Sequence, residues 1–164
     1  MMVILGVDPG FRFAGFGVAS KEGSRVSVVD YGFLKLSPSK NLVERTGLFH
    51  SFFSEKIKTH KVTHLSLETP FLGKNAQNFM KLGYLRGILY LLTDTYKLEL
   101  HEFAPRQVKS AITGFGGASK DQVARIIGQL LPRLKTPERD DVTDALAITL
   151  CALWQQKNPY HRLK

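Results

Sequence analysis

Cysteine, tryptophan and acidic residues are all scarce in this chain. Its 164 residues include one Cys, Cys151, and one Trp, Trp154. A lone thiol cannot close an intrachain disulfide, and no Cys/His spacing suits a zinc site, so a disulfide framework and a spacing-defined zinc site are both excluded. A reducing compartment, the cytoplasm, follows as the simpler inference. Long apolar runs are missing as well. The longest uncharged helical stretch, Ala145 to Trp154, is about half of the ~20 residues a membrane span needs. The apolar N-terminal run MMVILGVDPG has no preceding basic segment and no small-residue cleavage site, so neither a signal peptide nor a membrane anchor is expected. No internal repeat is visible.

The shortage of acid decides the class of partner. Asp plus Glu number 14 against 23 Lys plus Arg, a formal charge of +9 with a pI near 9.8. Such a surface attracts polyanions and releases their counterions, which favours nucleic acid over an anionic membrane. At 43% hydrophobic and 23% charged the composition is that of a folded globular chain. The length suits one domain, placed at residues 1–156, with a basic, loose tail at 157–164.

Hydrophobic patterning predicts five strands and five helices. Met2 to Val7 is apolar throughout and stops at Asp8-Pro9-Gly10, as a strand buried on both faces does. Ala14 to Ser20 and Arg25 to Lys35 add a β-meander. Leu42, Val43, Leu48, Phe49, Phe52, Phe53 and Ile57 recur at helical spacing from Asn41 to about Lys58. Thr63 to Leu67 is a fourth strand that delivers Glu68. Asn75 caps a helix from Ala76 to about Leu92, in which Gly83 and Gly87 call for a close approach to the sheet or to a second subunit. Lys97 to Phe103 is the fifth strand, Pro105 to Ile112 a short helix, and Ser119 caps a helix to about Leu131. Asp140 opens the last helix, through Gln156, on whose apolar side Cys151 and Trp154 are expected in the core. The order implies an α/β fold, a five-stranded mixed sheet flanked by helices.

Three carboxylate positions stand out. Asp8 closes the first strand and Glu68 the fourth, while Asp141 and Asp144 lie three apart on one face of the last helix. Helix-N-terminus stabilisation by itself accounts for the acids of that helix. Together with Asp8 and Glu68, which need no cap, they fit a hard-cation centre. Four carboxylates can seat two Mg²⁺ ions, the arrangement that clamps the attacking and leaving oxygens of a phosphoryl displacement. Asp-Pro-Gly after a strand also occurs in the phosphate loop of actin-like and sugar-kinase folds, but the chain lacks the duplicated half that those require. His64 and His101 read as strand-end surface residues rather than general bases.

Four ordered segments carry a resemblance: Ile4-Leu5-Gly6-Val7-Asp8-Pro9-Gly10, Glu68 leading to Phe71 and Lys74-Asn75, Arg106-Gln107-Val108-Lys109, and Asp141-Val142-Thr143-Asp144-Ala145-Leu146-Ala147. Together they resemble the RuvC family of Holliday junction resolvases, within the ribonuclease H-like superfamily. The resemblance implies a homodimeric, Mg²⁺-dependent endonuclease, with two ions per site and Mn²⁺ as a substitute, that resolves four-way DNA junctions by paired nicks in recombination and repair. It further implies a bacterial, nucleoid-associated cytoplasmic protein working beside the RuvA and RuvB branch-migration proteins. Mapped onto this chain, the acidic site falls on Asp8, Glu68, Asp141 and Asp144. Lys109 and Lys120 become catalytic-site cations that also touch DNA, Phe71 becomes the base-stacking aromatic, and Arg12, Lys74 and Arg106 join the DNA contacts. Without the resemblance, Phe71 would be a loop residue anchored in the core and the cations solvated helix faces. Thr69, where many relatives carry Gln, and Phe11-Arg12-Phe13, where smaller or polar residues are usual, are departures that bear on cleavage-sequence preference. A catalytically silent junction-binding dimer and a ribonuclease H-like RNA-processing nuclease are the alternatives, and the complete acidic set argues against the first.

Overall fold

A computed structural model describes residues 1–70 and 75–154. Strand β1 (Met2–Asp8) is central and apolar because both its faces are covered. It pairs antiparallel with β2 (Phe13–Glu22), which pairs antiparallel with β3 (Arg25–Lys35). On its other side β1 runs parallel to β4 (His64–Glu68), and β4 runs parallel to β5 (Glu99–Phe103), giving the order β3-β2-β1-β4-β5. The parallel strands are joined by helical crossovers, as parallel pairing requires.

Helices α1 (Leu42–His60) and α2 (Ala76–Tyr96) cover one face of the sheet, where Phe49, Phe53, Leu85 and Leu89 pack on Leu5, Leu65 and Leu67. The other face carries α3 (Pro105–Thr113), α4 (Lys120–Leu130) and α5 (Asp140–Trp154), with Val108, Val123, Leu146 and Ile148 in the core. Side chains close the helix starts. Asn41 and Ser119 each accept from the backbone N–H three residues on, and Glu44 and Gln122 reciprocate. Each such cap contributes about 1 kcal/mol. Asn75 accepts from Asn78 N–H at 3.0 Å.

Helix α5 lies against β1 and β2 more closely than side chains allow. A Cβ on Gly6 would sit 2.2 Å from Thr149 Oγ1 and 2.8 Å from Ala145 O, and one on Gly15 would meet Asp141 O at 1.9 Å. Strand glycines therefore set the separation of helix and sheet. Thr149, fully buried, is satisfied inside this seam by the carbonyls of Ala145, 2.7 Å away, and Gly17, 3.2 Å away.

Three sequence expectations are corrected. Gly83 and Gly87 do not approach the sheet, since a Cβ on either would meet nothing within 4 Å. They lie on the outer side of α2 beside Met80, Tyr84 and Leu91, all exposed. Trp154 is 40% exposed because it falls past the end of the buried stripe, whereas Cys151 is fully buried as expected. His64 and His101 are half-buried and touch each other across β4 and β5 rather than facing solvent. Helix α2 runs to Tyr96, a turn beyond the pattern, and stops at Lys97 in the left-handed conformation. Among the described residues no helix is long and apolar enough to cross a membrane. The tail 157–164 lies outside the described residues.

The seam yields a test. Gly15→Ala drives a methyl into the Asp141 carbonyl and should lower unfolding free energy in urea by about 1–3 kcal/mol. Gly47→Ala, on an open side of α1, should instead raise it by up to about 1 kcal/mol. Equal effects would remove the seam as the controlling contact.

Candidate active site

Parallel register brings the first two carboxylates together. Gly6 is level with Ser66 in the β1–β4 pair, so Asp8 and Glu68, two residues on, are level at the carboxyl ends of adjacent strands about 4.8 Å apart. Both point to the α5 side, because Ser66 Oγ donates to Ile148 O at 3.1 Å and Gly6 abuts Thr149. Helix α5 starts at this edge. Asp8 pairs with Gly15, the residue on which Asp141 O is seated, and this brings the first turns of α5, with Asp141 and Asp144, onto the strand ends. The structure thus joins all four sequence-predicted carboxylates.

Their charges collide. Burial, reinforced by Asp144, Asp141 and Glu68, pushes the Asp8 carboxyl from its ordinary 3.8 up to about 7, against a smaller opposing pull from Lys120. Burial and Asp144 raise Glu68 as well, partly offset by Lys120, Lys109 and Arg86. Two cations hold the helix acids in place: Lys120 Nζ donates to Asp144 Oδ2 at 3.0 Å, and Arg139 Nε to Asp141 Oδ2 at 3.0 Å. The Arg139 guanidinium also lies over the Phe13 ring, 3.5 Å from its centroid. Lys120 gains from the pairing, its pKa being raised chiefly by the hydrogen bond to Asp144. Half-buried oxygen donors that repel one another and keep a net negative charge fit a divalent cation of the Mg²⁺ type.

Of the other predicted residues, Lys109 sits on α3 near enough to Glu68 to lower its pKa. Arg12 and Arg106 are exposed, and neither forms an ion pair among the described residues. Phe71 and Lys74 lie outside the described residues. Arg86 escaped sequence reasoning. It is 8% exposed; Nη1 donates to Glu68 O at 2.5 Å, and Nη2 donates to both Glu102 Oε1 at 2.5 Å and Tyr90 OH at 3.0 Å. A buried guanidinium so placed fixes the end of β4. An arginine on the apolar side of a helix, one position after Leu85, was the available signal. A cleft opens between this arginine, Asp8, Glu68, Pro9, Phe79 and Leu82.

Fold and site define a class: an α/β protein whose carboxylates, gathered at strand ends and on a crossing helix, form an arrangement suited to metal-assisted phosphodiester hydrolysis. The family profile for the crossover junction endodeoxyribonuclease RuvC matches residues 4–152. A protein of that name from Pelodictyon phaeoclathratiforme is 45% identical over 152 residues, covering 93% of this chain and 80% of that one. Its namesake from Halothermothrix orenii is 36% identical over 150 residues, covering 92% and 91%. The T. thermophilus RuvC structure in complex with Holliday junction substrate superposes with a TM-score of 0.85 at 28% identity over 92% of both chains. The yeast mitochondrial Holliday junction resolvase Ydc2, at 15% identity and a TM-score of 0.67 over 90% of this chain and 76% of that one, shares the fold. The chain belongs to the RuvC family of crossover junction endodeoxyribonucleases, and its sheet is the ribonuclease H-like one.

The raised Asp8 pKa fixes a pH dependence for the metal-free protein. A carboxyl that ionises near 3.8 when unfolded and near 7 when folded favours the fold fully below the lower value. That contribution is lost as pH rises through the higher one. Without metal, Asp8→Asn should therefore melt above the wild type at about pH 8 and with it at about pH 4. A variant that melts below the wild type at both would show that Asp8 is not held against repulsion.

Proposed function

We propose that the protein is a Holliday-junction-resolving endonuclease in which Asp8, Glu68, Asp141 and Asp144 carry the hydrolysis. The observation that supports it is the convergence of four carboxylates from β1, β4 and α5, strained enough to hold Asp8 near 7. A protein that only bound junctions would have no use for that repulsion.

The four carboxylates would hold two Mg²⁺ ions, or Mn²⁺ in their place, which when bound supply a water-derived nucleophile and charge stabilisation for both oxygens of an in-line displacement. The chain's own groups set that chemistry up. Asp8 and Glu68 are presented by rigid strand ends, and Arg86 fixes the Glu68 backbone through its carbonyl. Lys120 and Arg139 hold the helix carboxylates, and the positive N-terminus of α5 lowers the cost of gathering them. Lys109 and Lys120 would stabilise negative charge developing at the scissile phosphate. The exposed Arg12 and Arg106, with Lys74, supply phosphate contacts along the strand, and Phe71 stacks on an unpaired base at the junction centre, a contact worth about 1–3 kcal/mol.

Resolution needs two nicks related by the junction's two-fold axis, so a homodimer with two identical sites is the economical design. Exposed Met80 (58%), Tyr84 (44%) and Leu91 (58%), with Gly83 and Gly87 flat between them, supply an apolar face on α2 for it. Partnership with RuvA and RuvB, and action at the bacterial nucleoid, rest on the family resemblance.

Gel assays on a synthetic four-way junction, linear duplex and RNA/DNA hybrid test the reading. With Mg²⁺ the wild type should cut the junction selectively, and Asp8→Asn or EDTA should abolish cutting while junction binding survives. Preferred cutting of the hybrid would transfer the activity to RNA processing. For the assembly, Gly83→Leu and Gly87→Leu should weaken self-association in sedimentation and leave singly nicked junctions. A monomeric wild type that still nicks both strands would overturn the dimer.

A further inference from the structure

Far from the carboxylates, at the amino ends of the outer parallel strands, three metal-ligating side chains meet. In the β4–β5 pair His64 is level with Glu99 and Ser66 with His101, so His64, Glu99 and His101 share the sheet face that carries α3 to α5. One ligand atom from each lies within 4.8 Å of the others. His64 Nε2 is 3.3 Å from Glu99 Oε2, and His101 Nε2 is 3.8 Å from Glu99 Oε1. The imidazoles lie nearly parallel, with centroids 5.4 Å apart and planes at 14°, and both present Nε2 to the carboxylate.

One ring nitrogen of this cluster has no protein partner, and a second is open to a cation in one of its two tautomers. His101 Nε2 is buried with no hydrogen-bond partner, an unfavourable state for a polar atom. The second belongs to His64, whose Nδ1 lies 2.7 Å from Thr63 Oγ1. That hydroxyl also receives Val3 N–H at 3.0 Å and has Val3 O as an acceptor at 3.1 Å. When its single proton goes to Val3 O, Thr63 accepts from His64 Nδ1–H. The Nε2 lone pair then faces the Glu99 carboxylate, two electron-rich atoms that a cation between them reconciles. The same hydrogen bond to Thr63 holds the ring in place, as outer partners of metal-bound histidines do. Burial lowers the pKa of both rings, which favours their neutral, ligating form.

We propose that His64, Glu99 and His101 bind a divalent transition-metal ion of the Zn²⁺ class, separate from the nuclease centre. Two imidazole nitrogens and one carboxylate match the three-ligand zinc sites that leave a fourth position to water. Donors about 2.1 Å from a tetrahedral ion stand about 3.4 Å apart, close to the 3.3 Å of His64 and Glu99. Glu99, 66% exposed, is free to rotate toward His101. Imidazole donors select against Mg²⁺, which prefers oxygen. Four residues of strand, about 13 Å, separate His64 from Glu68. The ion would clamp edge strand β5 to β4.

The test uses the full chain, stripped with EDTA, returned to excess Mg²⁺ to occupy the carboxylates, loaded with Zn²⁺ and passed through gel filtration. About one zinc per chain should remain on the wild type, and at least about tenfold less on His64→Gln and His101→Gln. Co²⁺ in place of Zn²⁺ should give the wild type the intense visible bands of a four-coordinate ion. That readout needs no variant, so misfolding of a substituted chain leaves it decisive. Zinc retained equally by both variants, no zinc on the wild type, or the weak spectrum of six-coordinate Co²⁺ would overturn the site.

Discussion

The backbone-close contact between α5 and strands β1 and β2 is the constraint on which the rest depends. Gly6, Gly15 and Gly17 remove the Cβ layer that normally separates helix from sheet, and α5 sinks into the space until Thr149 and the Asp141 carbonyl rest on strand backbone. On its far side α5 is covered by α3 and α4, so it is buried almost all round, from Val142 to Leu153. A helix held on both sides has little freedom to slide or roll. The positions of Asp141 and Asp144 relative to Asp8 are therefore a consequence of packing, set by residues that take no part in chemistry.

That rigidity explains how the fold carries a destabilising cluster. Four carboxylates repel, and a mobile helix would relieve the repulsion by drifting outward. Lys120 and Arg139 offset part of it, and the cation–π seat of Arg139 over Phe13 fixes one of these cations to β2. On the opposite face Arg86 couples Glu102 to the Glu68 carbonyl, an ion pair only 9% and 13% exposed. Buried pairs of this kind add little net stability, since desolvation cancels most of the attraction, but they specify geometry. Here the geometry specified is the end of β4. Departure from local optimality is concentrated where function needs it.

Much of this was legible in sequence because it is local. Strands β1 and β4 each end at an acid, Asp8 before Pro9-Gly10 and Glu68 before Thr69-Pro70, and apolar runs, helical periodicity, turns and helix-start residues located all ten elements. The three-residue spacing of Asp141 and Asp144 fixed their common face. What failed was non-local. The pattern on α2 mixed two apolar sides, so it could not tell which covers the sheet, and of the two approaches open to Gly83 and Gly87, to the sheet or to a second subunit, the one to the sheet is not made. Trp154 continues the apolar character of α5 but falls where cover ends. Arg86 gave no charge pattern, because its partners Glu68 and Glu102 are 18 and 16 residues away. His64 and His101 are separated by a whole crossover, and only parallel pairing of β4 with β5 makes them neighbours.

The two ends of the sheet differ in field as well as in ligands. At the carboxyl ends, β5 is followed within two residues by the N-terminus of α3, and α5 begins over Asp8, so the helix dipoles add positive potential where carboxylates gather. At the amino ends the sign reverses. The C-terminus of α1 at His60 leads within four residues to His64, and that of α2 at Tyr96 leads within three to Glu99. The partial negative charge of those termini favours cations nearby, as Lys58 in the last turn of α1 illustrates. A parallel βαβ arrangement thus polarises the domain along its strands. One end lowers the cost of assembling anions, and the other lowers the cost of holding a cation beside half-buried imidazoles, so hard-oxygen and nitrogen-donor chemistry are sorted to opposite ends by the backbone itself.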